Sequence, residues 1–457
     1  MSSELLSRAR IVMAAPHSGA GKTTVTLAIL SALKARGLAL SAFKCGPDYV
    51  DPMFQREILN LPSHNLDAFF LEPEEVRRHF LRYASPELSV IEGVMGYYDG
   101  IGLEGRASTY EIARILEAPV ILVISAAGMY TSAAAILTGF LNFRQPSQIA
   151  GVIFNDVSEM VYQGLARLAG EVGVTALGYL PRRPELSVPD RRLGLVTAAE
   201  IDNIQEILAS LGHLAAETID LDGLIEMAGA AAALKVEERL PALSSTAMAP
   251  QERRRLAVAQ DRAFCFIYQE NLDLLRECGV EIVPFSPLED SHLPEGIDGL
   301  YLPGGYPEIY SQELSANASL REEIRERILG GLPTWAEGGG FVYLHESYEG
   351  VPLVGAISAE AHDTDRLQRF GYIELMSQEN HVMARRGESI RAHEFHYTAS
   401  SLEGSLCLAK RASGSREYQT NVGDETLFAG FPQLYLPANP HWAERFSLAM
   451  SACRRAD

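Results

Sequence analysis

The stretch RIVMAAPHSGAGKTTVTLAILSALKARG, residues 10–37, decides the fold. An apolar run, RIVMAA, leads into the small residues between Pro16 and Gly21. A helix follows that keeps Val25, Ile29, Leu30 and Leu33 on one side and stops at Gly37, a common C-terminal cap. Strand, glycine loop and helix in that order make a phosphate-binding loop. Small residues let backbone N–H groups close around phosphate oxygens, a lysine meets the β/γ charge, and a hydroxyl reaches Mg²⁺. Ser18, Gly19, Ala20, Gly21, Lys22, Thr23 and Thr24 supply these parts. The first glycine of the common pattern falls at Pro16, so the loop is a variant form. An ordinary glycine turn opening a helix is the bland alternative, and the GKTT run with its flanks weighs against it.

Outward from this loop, residues 10–226 keep one rhythm. Strand-like runs (RIVMAA, LSVIEG, PVILVIS, IAGVIFN, ALGYL) alternate with helix-length amphipathic segments, which implies a parallel sheet covered on both faces. Alanine, serine, proline and charge then dominate up to about Arg255, as in a linker, and a second α/β series starts at LAVAQ. The expected organisation is an N-terminal nucleotide-binding α/β domain over 1–227, a linker over 228–254 and a second α/β domain over 255–457.

Composition narrows the function classes. The 457 residues carry a net charge of −20, which argues against a nucleic-acid partner, since phosphate backbones are held by clustered Lys and Arg. No apolar run is long enough to span a bilayer, and the N-terminus lacks signal-peptide order, so no membrane role and a cytoplasmic location are expected. The 5 cysteines show no CxxC spacing, and Cys407 in SLCLAK reads as core.

Two acidic motifs follow strands: KCGPDYVDP (44–52) and EGVMGYYDG (92–100). Ligands of open α/β sheets bind beyond the carboxyl ends of the strands, so both motifs belong beside the phosphate loop. Glu92 follows an apolar run, where a Mg²⁺-binding carboxylate is expected. An isolated aspartate is usually a solvated loop residue, but three acids at strand ends around one phosphate loop favour a site.

With NLDAFF (65–70) and PDRRLGL (189–195), these motifs resemble the cobyrinic acid a,c-diamide synthase family, a branch related to dethiobiotin synthetase. The resemblance implies ATP-driven activation of a substrate carboxylate as an acyl phosphate, which ammonia attacks. It implies ATP phosphates and Mg²⁺ on Lys22 and Thr23, Glu92 as a further metal ligand, and Lys44, Asp48, Tyr49 and Asp51 around the acetate groups. Asp67 is a further acid of unassigned role. Asn155 resembles the family's adenine-reading position, with a strand-ending asparagine as the alternative. Arg182, Arg183, Arg191 and Arg192 form either a basic lining for an anionic macrocycle or a solvated charged loop.

AFCFIYQENLDLL, FSPLEDSHLP, LYLPGGYPE and RAHEFHYTAS resemble the family's C-terminal class I glutamine amidotransferase domain. In such domains a cysteine on a sharp strand-to-helix turn is activated by a histidine. The family's Ala-Glu-Cys-Gly-Gly pattern puts Gly338 at the nucleophile position, and its histidine run puts Gln433 and Tyr435 where imidazoles stand. The fold can survive glycine at the elbow; the thioester chemistry cannot. His393 and His396 belong to a different motif and read as packing residues.

The resulting expectation is an ATP- and Mg²⁺-dependent amide ligase acting on a tetrapyrrole acid, supplied with ammonia directly or by a separate glutaminase. A siroheme-type or nickel tetrapyrrole is an alternative substrate. A non-catalytic nucleotide- or tetrapyrrole-binding homologue is the alternative of another class. A switch ATPase is disfavoured by KCGPDYVDP and the second domain. A homodimer is an open alternative for the assembly.

Overall fold

The computed structural model describes residues 3–186, 190–191, 194–195, 203–237, 253–414 and 416–453. The chain divides into two compact units, Met1–Arg239 and Leu240–Asp457.

The first unit is built on a seven-stranded sheet. In chain order its elements are β1 (Ser3–Leu6), β2 (Arg10–Ala14), α1 (Lys22–Ala35), β3 (Leu40–Cys45), α2 (Val50–Glu57), β4 (Ser63–Leu66), α3 (Pro73–Tyr83), β5 (Leu88–Glu92), α4 (Thr109–Ile115), β6 (Val120–Ser125), α5 (Thr131–Phe143), β7 (Ile149–Asn155), α6 (Glu159–Glu171), β8 (Thr175–Leu180), α7 (Ile204–Thr218) and α8 (Leu221–Gly229). The sheet runs β4-β3-β5-β2-β6-β7-β8, all parallel. Burial is continuous rather than alternating along β2, β3 and β5, which is what helices on both faces demand. The α/β class and the parallel sheet match expectation. The order reverses at β2, which lies between β5 and β6. A crevice therefore opens at the carboxyl end of β2, where ligands of such sheets bind.

The start of β2 is fixed by an unexpected group. Arg10 is fully buried, and its guanidinium donates to the carbonyls of Leu116 (2.7 Å), Arg8 (2.9 Å) and Ala232 (2.6 Å). Carbonyl acceptors from separate segments offset the burial, which pulls the guanidinium pKa down to about 10 against the opposing charge of Glu117.

The helix read from sequence after Gly21 is observed as Lys22–Ala35, with Val25, Ile29, Leu30 and Leu33 buried. The linker reading needs correction at its start. Helix α8 runs to Gly229, and Leu234–Glu237 pairs antiparallel with β1, closing the first unit on its own N-terminal strand. Most of the remaining linker, 238–252, lies outside the described residues.

The second unit carries a six-stranded sheet. Val280–Phe285, Arg254–Ala259, Gly299–Leu302, Thr334–Glu337 and Leu427–Gly430 run parallel, and Val422–Gly423 is an antiparallel edge. A five-stranded antiparallel sheet built around Arg369–Ser377 and Ser389–His396 adds a layer that the α/β pattern did not announce. Cys407 is fully buried between these layers, and burial pushes its thiol up to about 12, as befits core.

Candidate nucleotide and carboxylate site

The loop between β2 and α1 turns on glycines in left-handed conformations, Gly19 (φ +80) and Gly21 (φ +84). Gly21 is doubly required, because a Cβ there would stand 2.1 Å from the Asn155 amide nitrogen. That amide, at the end of β7, donates to the Ala20 carbonyl (3.2 Å) and to Asp156 Oδ2 (3.2 Å). Asn155 therefore packs onto the phosphate loop itself. Ser18 and Gly19 are exposed on the rim, Ala20 is buried, and Thr24 faces partly inward.

Lys22 and Thr23 open α1. Burial, then repulsion from Lys44, lowers the Lys22 ammonium pKa, while Glu92, Asp51 and Asp48 act in the opposite direction. The Thr23 hydroxyl donates to Glu92 Oε1 at 2.6 Å and lies 3.5 Å from Asp51 Oδ2.

Lys44 gathers the acids. From the end of β3 its Nζ contacts Asp51 Oδ2, Glu92 Oε1 (3.0 Å) and Asp48 Oδ2 (3.5 Å). Burial alone would lower this ammonium, but three carboxylates, Asp51 foremost, hold it well above its ordinary value. Glu92 is fully buried, and burial, then the Asp51 charge, pushes it up to about 7. Burial also opposes ionisation of Asp51, yet Lys44 keeps it below the usual carboxylate range. Asp48 moves upward through burial and the neighbouring Asp51. Its Oδ1 accepts from the backbone N–H groups of Val50 (2.9 Å) and Asp51 (3.3 Å), so it also starts α2.

Among the described residues, no three His, Cys, Asp or Glu groups are arranged to hold a metal ion unaided. The oxygens of Thr23, Glu92 and Asp51 nevertheless form a hard donor set beside the phosphate loop. Mg²⁺ fits such a set, because it normally shares one or two protein oxygens with substrate phosphates.

Other predicted residues fall differently. The Tyr49 ring is buried at the start of α2. Asp67 caps a turn, its Oδ1 accepting from the N–H groups of Phe69 (2.7 Å) and Phe70 (3.2 Å). Arg182 and Arg183 are exposed after β8, whereas Arg192 lies outside the described residues. Gln55 was missed: its Nε2 donates to Glu92 Oε2 at 3.4 Å. Its place four residues after Asp51, on the same helical face, was the available signal.

In the second unit Gly338 occupies a sharp turn between the strand Thr334–Glu337 and the helix Gly339–Tyr343, at φ +54, ψ −116. A Cβ there would come 3.0 Å from Gln433 Nε2. The two positions singled out from sequence therefore face one another. The buried ring of Tyr435 packs edge-on against Tyr268. His393 is the cross-strand partner of Gln433, but burial pulls its pKa down to about 3. His396 stacks on Phe431 at 3.8 Å, and burial lowers it to about 4. Both are poor bases at neutral pH. Behind the turn, Glu337 accepts from the Tyr301 hydroxyl (2.7 Å) and the Leu434 N–H (3.0 Å).

Fold and site together define a P-loop nucleotide-binding unit joined to a glutamine amidotransferase-like unit. Residues 11–195 match the CobQ/CobB/MinD/ParA nucleotide binding domain, and residues 255–428 match the CobB/CobQ-like glutamine amidotransferase domain. A cobyrinate a,c-diamide synthase of Listeria innocua is 38% identical over 94% of this chain and 97% of its own length. One from Synechocystis is 37% identical over 96% and 91%. A hydrogenobyrinate a,c-diamide synthase of Streptomyces coelicolor is 39% identical over 96% of each. The chain belongs to the cobyrinate a,c-diamide synthase family.

Proposed function

We propose that the first unit uses ATP and Mg²⁺ to amidate the a and c acetate carboxylates of cobyrinic acid or a closely related tetrapyrrole. The observation that carries this reading is the meeting of Thr23, Lys44, Asp51 and Glu92 beside the phosphate loop. Full-length similarity to enzymes named for that reaction supports it.

A carboxylate is a poor electrophile, so the reaction proceeds in two steps. A substrate carboxylate oxygen attacks the γ-phosphorus, the bond to the ADP oxygen breaks, and an acyl phosphate forms. The lone pair of ammonia then attacks the carbonyl carbon, phosphate leaves, and a proton is released to give the amide. Lys22 holds the β/γ oxygens during the first step, where charge accumulates. Thr23 and Glu92 would hold Mg²⁺, which supplies charge neutralisation at the phosphates. Lys44 offsets an acid cluster that would otherwise repel an anionic substrate. Lys44, Asp48, Tyr49 and Asp51 position the acetates, and Asn155 joins the adenine end of the site to the phosphate loop.

In this proposal the second unit does not hydrolyse glutamine. Gly338 carries no thiol, and neither Gln433 nor Tyr435 offers an imidazole. Ammonia then comes from solution or from a separate glutaminase.

The test is ADP release from ATP, Mg²⁺ and ammonium with a panel of tetrapyrrole acids. Cobyrinic acid should stimulate turnover. Stimulation only by a siroheme-type or nickel tetrapyrrole would reassign the substrate. ATP binding with no stimulated turnover on any acid would overturn the ligase reading in favour of a non-catalytic homologue.

A further inference from the structure

We infer that Gln55, oriented by Ser63, is a positioning residue that fixes the plane of the Glu92 carboxylate and so keeps one of its oxygens turned to the metal–phosphate site. The inference rests on the metal–nucleotide reading of the first unit and assigns it a residue outside the phosphate loop and the acid cluster.

Glu92 has its two oxygens in different surroundings. Oε1 accepts from the Thr23 hydroxyl (2.6 Å) and the Lys44 ammonium (3.0 Å), so it faces the phosphate loop. Oε2 faces the other way and accepts from Gln55 Nε2 at 3.4 Å. Gln55 is fully buried on α2, one turn beyond Asp51. A carboxamide could present either its oxygen or its nitrogen to Glu92, and the oxygen would repel the carboxylate. Ser63 decides the matter. Its hydroxyl donates to Gln55 Oε1 at 2.6 Å, which leaves Nε2 for Glu92. Ser63 is fixed in turn at the start of β4, paired with Ala42 on β3, two residues before Lys44. The chain Ser63 → Gln55 → Glu92 thus runs through buried groups on three elements and ends on the carboxylate that would meet the metal.

A neutral amide suits the position for a reason of charge. Asp48, Asp51 and Glu92 already stand against Lys22 and Lys44. A further acid at position 55 would repel Glu92, and a further cation would compete with the metal for it. A carboxamide supplies a donor and leaves the balance unchanged. Without it the Glu92 carboxylate is held on one side only, through Oε1 by Thr23 and Lys44, and its plane can tilt away from the metal side.

The experiment uses Mn²⁺ as the metal probe with a non-hydrolysable ATP analogue and the full chain, with binding read by electron paramagnetic resonance. Nucleotide affinity without metal is measured alongside as a control for folding. Removing an outer partner of a metal ligand typically weakens the metal by about 10- to 100-fold. Gln55→Met and Ser63→Ala should each fall in or near that range, with metal-free nucleotide affinity unchanged. Ser63→Thr, which keeps the hydroxyl, should restore wild-type Mn²⁺ binding. In the Gln55→Met background, Ser63→Ala should add nothing. Wild-type Mn²⁺ affinity in both single variants would overturn the inference while leaving the functional reading intact. Full multiplication of the two effects in the double variant would overturn the role of Ser63. Failure of the wild-type chain to bind Mn²⁺ with nucleotide would remove both readings together.

Discussion

The side-chain amide of Gln433 lies 3.0 Å from the point where a Cβ on Gly338 would stand. In the proposed reading these are the nucleophile and base positions of an amidotransferase turn, and a glycine and a carboxamide stand there in place of a thiol and an imidazole. The turn can be tested by refilling it. A side chain at φ +54 is strained, so Gly338→Cys should cost about 1–2 kcal/mol. The new thiol should alkylate slowly with iodoacetamide at neutral pH, having no imidazole partner. In Gly338→Cys/Gln433→His the rate should rise at least tenfold, because an adjacent imidazole favours the thiolate. Equal rates would show that position 433 does not address position 338.

Gly21 makes a sharper case in the first unit. Gly21→Ala must bear a left-handed conformation (φ +84) and a collision with Asn155. ATP affinity should fall by at least tenfold, measured by equilibrium binding. Adding Asn155→Ala removes the collision but not the backbone strain, so recovery should be partial. Unaltered affinity in Gly21→Ala would mean the loop does not close as described.

A pH prediction follows from Glu337. Burial pushes its carboxyl up to about 8, against hydrogen bonds from Leu434 and Tyr301, whereas its ordinary value is 4.5. Between those values the folded protein binds more protons than the unfolded chain. This contribution to stability is therefore lost as pH rises through the window, by at most about 1.4 kcal/mol per pH unit. Glu337→Gln cannot ionise. Its melting temperature relative to wild type should climb between pH 5 and pH 8. A pH-independent difference would contradict the assigned protonation.

Much of this was legible in the residues because it rests on local chemistry. The strand–loop–helix around Lys22 carries its own periodicity and caps, and its helix appears where expected. Glu92 was legible as a strand-end acid and Asp51 as an acid of the motif after β3, although Asp51 proves to lie in the first turn of α2. Lys44 as the hub of three carboxylates was not, since that geometry depends on β3 lying next to β5, a long-range pairing. Gln55 and Arg10 escaped for a related reason. A buried polar side chain announces itself only through partners brought in by the fold, here Glu92 and Ser63 for one and four carbonyls for the other. Asp67 shows the converse: an acid in a suggestive motif whose carboxylate caps a local turn. The antiparallel layer around Arg369–Ser377 was hidden although Arg369–Ser377 and Ser389–His396 are nine and eight residues long, because charged and polar residues break up their apolar positions (RFGYIELMS, SIRAHEFH).

If one unit activates a carboxylate while the other supplies no nitrogen, parallel amidation assays with two nitrogen donors separate the two roles. Purified full-length protein is given ATP, Mg²⁺ and cobyrinic acid with either ammonium or ammonia-free glutamine, and amides are followed by mass spectrometry. Mono- and diamide should form with ammonium, abolished by Lys22→Ala, and none with glutamine. Amide formed from glutamine by the isolated chain, or amide formation that survives Lys22→Ala, would contradict that division of roles.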